Sequence, residues 1–154
     1  MIMKTTISLF KLGIVSGLII AALLIGYFVL INELGLLYRL ELRVVNIIIL
    51  LAGITLTIRY FRRQAGDGSY YFEGLSLCFY AGLLAVGVFA AFVYGYFLVN
   101  QAQLESLRVH LPMMGHYLTP LSAALSVVAE GMVAALTIAF VLMQFYKNDH
   151  IHNQ

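Results

Sequence analysis

The chain has 154 residues, of which 62% are hydrophobic and only 10% charged, and its mean hydropathy is +0.95. Soluble domains are about half apolar and about a quarter charged, so charges this sparse could not cover a water-facing surface, and the bilayer must act as solvent for most of the chain. The net charge of +2 offers no grip on nucleic acid, and the single cysteine, Cys78, excludes an intrachain disulfide.

A helix needs about 20 apolar residues to cross about 30 Å of hydrocarbon. Four stretches qualify, at about 12–32, 42–60, 74–99 and 120–146, followed by a tail over 147–154. With no water to bond to, each must satisfy its backbone internally, as a helix. The predicted fold is an all-α membrane protein of one domain, with four transmembrane helices in an up-down-up-down bundle. The first stretch is uncharged from residue 12 to 31 and exceeds the apolar core of a signal peptide. Asn32, Glu33 and a second span follow it instead of a small-residue cleavage site, so it reads as a retained helix.

The short first loop, 32–41, makes helices one and two antiparallel neighbours. The second, 59–73, holds Arg59, Arg62 and Arg63 and the turn Gly66-Asp67-Gly68-Ser69. The arginines suit anionic lipid headgroups, or plain anchoring on the positive side of the membrane. In the third loop, 100–119, Leu104, Leu107 and Leu111 recur at helical spacing beside Glu105, Arg108 and His110. This predicts a short amphipathic helix on the outer membrane face, stopped by Pro112. Thr119 then serves as N-cap and Pro120 as first residue of the last span.

Positive charge sets orientation. Lys4, Lys11, Arg59, Arg62, Arg63 and Lys147 fall on one side, and Arg39, Arg43 and Arg108 on the other. Both termini and the second loop are therefore expected in the cytoplasm. Trp is absent, leaving Tyr as the polar aromatic anchor: Tyr27, Tyr38, Tyr94 and Tyr117 outside, Tyr60, Tyr70, Tyr71 and Tyr146 inside.

Membrane helices associate through close backbone approach and polar contacts. Small residues four apart supply the approach: Gly13, Gly17 and Ala21; Gly87, Ala91 and Gly95; Gly131, Ala135 and Ala139. These stripes are expected to build the bundle, a homodimer seam being the sharper alternative. Polar residues also align, as Ser122, Ser126, Glu130, Thr137 and Gln144 on the last helix, Asn46, Gly53 and Thr57 on the second, and Glu73, Tyr80, Gly87 and Tyr94 on the third. Lipid would not accept these faces, so all three are expected to meet inside.

Glu130 stands out, about ten residues or about 15 Å into its helix, near the midplane. Gly53 and Gly87 are expected at its level, leaving room for the carboxyl group. Arg43 lies higher, within reach only through its long side chain, and Asn46 sits one turn deeper than Arg43. Lacking a cation at its own depth, Glu130 is expected to be neutral and to donate a hydrogen bond to a hydroxyl or carbonyl. Together with Arg43, Asn46, Ser126, Tyr80 and Tyr94 it forms the candidate intramembrane polar site.

Other constellations fall short. No histidine lies in a span, which excludes haem held by two intramembrane histidines. His110 with His116, and His150 with His152, supply too few ligands for zinc, and Cys78 reads as a packing residue. There is no phosphate loop, catalytic triad or carboxylate pair, so no metal, cofactor or enzymatic activity is expected.

The run Ile58-Arg59-Tyr60-Phe61-Arg62-Arg63, then Gly66-Asp67-Gly68, the aromatic Tyr70-Tyr71-Phe72, the small-rich third span and the Glu130-Gly131 pair resemble the bacterial membrane family catalogued as domain of unknown function 4199. The resemblance implies a four-helix bundle in a bacterial cytoplasmic membrane and carries over no functional residue. The sequence thus points to a non-enzymatic accessory or scaffolding subunit, surrounded by lipid and assembled as a homo-oligomer or with a membrane-protein partner. The alternative is a small proton- or cation-linked transporter that uses Glu130.

Overall fold

The computed structural model describes residues 2–37, 39–65, 71–110 and 115–148. They form five α-helices: α1 (Ile2–Glu33), α2 (Arg43–Ala65), α3 (Tyr71–Val99), α4 (Gln101–His110) and α5 (Pro120–Asn148), with single 3-10 turns at Leu40–Leu42 and Gly115–Tyr117. Helices α1, α2, α3 and α5 are each long and apolar enough to cross a bilayer. The chain is an all-α, multi-pass membrane protein, as its composition requires.

Contacts between small residues fix the directions. A Cβ on Gly13 would meet Tyr80 and Leu77, and one on Gly17 would meet Ala81 and Leu84, so α1 and α3 run parallel. Gly74 meets Met143, Gly82 meets Ala135 and Gly131 meets Val86, so α3 and α5 run antiparallel. Gly53 of α2 meets Ile20 and Tyr27 donates to Leu42 O, so α2 runs antiparallel to α1 and the four long helices alternate up and down. Helix α3 is the central one: half of its apolar window is buried, against 17–28% for the other three, and it packs most heavily on α1 and α5.

Helix ends follow local chemistry. Gly35 adopts φ 66°, and Leu36 N–H donates to Ile31 O (3.0 Å) while Gly35 N–H donates to Asn32 O (3.0 Å). This is a Schellman end for α1, which a left-handed glycine makes accessible. At the start of α5, Ser122 N–H donates to Thr119 Oγ1 (3.1 Å) and Thr119 N–H to Ser122 Oγ (2.8 Å). Thr119 is thus the N-cap and Pro120 the first helical residue, as expected, with serine in the place usually held by a reciprocating glutamate.

Three expectations about packing need correction. Gly87, Ala91 and Gly95 do not build the bundle: Gly87 and Ala91 are exposed, and a Cβ on Gly87 or Gly95 meets nothing within 4 Å. The face of α3 that does the packing is Cys78, Ala81, Gly82, Ala85 and Phe89. Gly53 leaves no room for a carboxyl group either, because a Cβ there would run into Ile20 of α1. Nor do all three polar stripes converge, since that of α3 stays outside. Ser126, Thr137 and Gln144 are exposed, as are Tyr80, Gly87 and Tyr94. Hydroxyl groups escape the expected penalty by bonding back along their own helix: Ser126 to Ser122 O, Thr137 to Val133 O and Thr57 to Gly53 O, at 2.8–2.9 Å.

Helix α4 begins and ends close to where its leucine spacing predicts, but it caps the bundle more than it floats on lipid. Leu104 is buried in the core and Leu107 packs against it. Arg108 Nε donates to Leu118 O (2.8 Å) and its guanidinium pairs with Glu105, tying α4 to the chain that returns toward α5. Leu111, Pro112, the turn at 66–69, Tyr38, Tyr70, His150 and His152 lie outside the described residues.

Candidate functional site

Below α4 the helices do not close completely. A cavity of about 270 Å³ lies between α1, α2, α3 and α5 in the half of the bundle nearest α4. Leu24 and Phe28 of α1, Val86, Phe89, Val93 and Phe97 of α3, and Val127 and Ala134 of α5 make its walls apolar. Phe28 stands edge-on to Phe89 and Phe97 at 6.1 and 6.2 Å, an aromatic arrangement that fixes the wall's shape. Leu107 and Leu118 form the lid at the α4 end. Toward the opposite end, Ile54 and Ile138 pack the interior.

Four of the six residues singled out for the polar site line this cavity: Arg43, Asn46, Ser126 and Glu130. Arg43 opens α2 and Asn46 is one turn further, so both side chains lie on one face. Ser126 and Glu130 are four apart on α5 and likewise share a face. Arg43 Nη2 stands 3.6 Å from Glu130 Oε2. The level of Glu130 along the bundle is close to that expected, since its neighbour Gly131 packs on Val86 at the middle of α3. What needs correction is the premise of a carboxyl without a cation. The Arg43 side chain reaches down to it, and among the described residues Glu130 makes no hydrogen bond to a hydroxyl or carbonyl group. The pair is not sealed: Arg43 is 45% and Glu130 43% exposed.

Tyr80 and Tyr94 are not part of this site. Both project from the outer face of α3, where the Tyr80 ring lies 5.9 Å from Phe10. Tyr27, expected as an interface anchor, belongs to the site instead. Tyr27 lines the cavity and its hydroxyl donates to Leu42 O (2.9 Å), pinning the start of α2 to α1 just above Arg43. Asn46 Oδ1 is buried with no hydrogen-bond partner. Cys78 is fully buried in the opposite half, a packing residue as expected. Arg59 and Arg63 are exposed at the end of α2 furthest from the cavity, with Arg62 between them.

No family model, curated protein or solved structure matches this chain. The class of the protein, a small integral membrane protein of four spanning helices, therefore rests on its own composition and fold, and the functional reading on its own site.

Proposed function

We propose that this membrane protein is non-enzymatic and works by holding a small amphipathic molecule within the bilayer. The cavity carries the reading. Its walls are aliphatic and aromatic, and one side carries the Arg43–Glu130 ion pair, which is nearly half exposed. Pockets that take small molecules are concave and mostly apolar, with a few polar groups that orient the ligand. A proton- or cation-linked transporter fits less well. Such a protein needs a polar path through the membrane, whereas the far side of the cavity is filled by Ile54, Ile138 and Ala139.

A single observation favours a second reading, that of an accessory or scaffolding subunit. The stripe Gly87, Ala91, Gly95 faces outward with nothing opposite it at Gly87 and Gly95, and such stripes let a partner helix come close. Both roles can reside in one protein. We further take the protein to lie in a bacterial cytoplasmic membrane with both termini in the cytoplasm, on the strength of Arg59, Arg62 and Arg63 and of the family resemblance.

Thermal unfolding in detergent-free phosphatidylcholine nanodiscs tests the ligand reading. A ten-carbon single-chain amphiphile that binds the folded protein should raise the melting temperature and saturate. Ala134→Phe, which fills the cavity from α5, should abolish that rise while leaving a cooperative transition. A linear, unsaturating response, or an equal one in Ala134→Phe, would count against the cavity as a ligand site.

A further inference from the structure

We infer that the cavity receives a single-chain amphiphile whose head is uncharged and carries hydroxyl groups, one of which bridges Arg43 and Glu130. The inference rests on the ligand reading above and names the chemistry of the ligand. The apolar walls come first: the cavity of about 270 Å³, lined by Leu24, Val86 and Val93, has room for an alkyl chain.

The head follows from the ion pair. Charge-assisted N–H···O contacts close to about 2.7–2.9 Å, yet Arg43 Nη2 and Glu130 Oε2 stand 3.6 Å apart. Among the described residues, neither makes another hydrogen bond. A hydroxyl oxygen about 2.8 Å from both atoms completes a triangle with them. It donates its proton to Glu130 Oε2 and accepts from Arg43 Nη2, using both halves of its hydrogen-bonding capacity.

Charged heads lack this fit. A carboxylate would be drawn to Arg43 but repelled by Glu130, and an ammonium group the reverse, in a setting where an uncompensated charge is costly. A glycerol head supplies such a hydroxyl on an uncharged group.

Native mass spectrometry of the full chain in phosphatidylcholine nanodiscs, free of detergent, is the test. The probes are 1-decanoylglycerol, decanoic acid and decyltrimethylammonium. We expect one decanoylglycerol per chain, bound about fivefold to tenfold more tightly than either charged probe, and no binding of any probe to Ala134→Phe. Charge variants should switch the preference: Glu130→Gln toward decanoic acid, and Arg43→Gln toward decyltrimethylammonium. Cavity-dependent binding with no preference in the wild type, or with no switch in the charge variants, overturns the head-group inference and leaves the ligand reading standing. No saturable binding of any probe, or full binding to Ala134→Phe, overturns both.

Discussion

At Gly17 an added methyl would lie 2.9 Å from Ala81 O and 3.0 Å from Leu84 Cβ, whereas at Gly87 it would meet nothing within 4 Å. Two glycines that look alike in the sequence therefore have opposite sensitivities. Gly17→Ala should push α1 off α3 and destabilise the fold by about 1–3 kcal/mol, the cost of overpacking. Gly87→Ala should be neutral or stabilise by up to about 1 kcal/mol, through helix propensity alone. Thermal melts in a fixed detergent check both, and equal effects at the two positions would contradict the packing. Arg43 and Glu130 call for a different measurement, because removing either leaves the other without a counter-charge. In a double-mutant cycle with leucine at both positions, the coupling should be favourable, about 0.5–3 kcal/mol, because the pair lies within the spans, where water does not screen it. A coupling indistinguishable from zero would mean that the two charges do not act as a pair. The pair was half legible in advance. The depth of Glu130 and the reach of Arg43 follow from the sequence, but their meeting depends on the angle between α2 and α5, which no periodicity within one helix encodes.

The helices as units explain most of what the sequence revealed and what it hid. The spans, the N-cap at Thr119 and the α4 leucines were legible because each is a local consequence of hydrophobic length, capping chemistry or spacing. The partner of each face was not. In water, a polar stripe points outward and an apolar one inward; in lipid, Thr57, Ser126 and Thr137 satisfy themselves on carbonyls of their own helices, so their positions carry little directional information. Small residues mislead for a related reason, since every spanning helix has some and only those opposite a neighbour pack. Helix α4 is the element whose attachment is open to a direct test. It is ten residues long, too short to be stable alone, so its helicity depends on the contact that buries Leu104. Leu104→Asp should therefore release α4, and hydrogen exchange should quicken over residues 101–110 while α3 stays protected. Unchanged exchange in α4 would show that the tie from Arg108 to Leu118 O holds it without the leucine.

For the whole molecule, the remaining variable is which way the bundle faces. The fold alone is silent on this, because a four-helix bundle closes equally well in either direction. Charge breaks the symmetry. Basic residues are retained on the cytoplasmic side during insertion, and Arg62 and Arg63 lie in the last turn of α2, where the helix dipole also favours cations. The α4 end carries only Arg39, Arg43 and Arg108, against Lys4, Lys11, Arg59, Arg62, Arg63 and Lys147 on the other side. We therefore expect the cavity to lie in the leaflet away from the cytoplasm. In a Cys78→Ala background, whose buried thiol would otherwise complicate labelling, Gln103→Cys on the exposed face of α4 should react with a membrane-impermeant maleimide added to intact cells. A cysteine at Arg63 should react only after the cells are broken open. The opposite pattern would turn the bundle over. It would move the cavity to the cytoplasmic leaflet and leave its geometry, and the chemistry argued for it, unchanged.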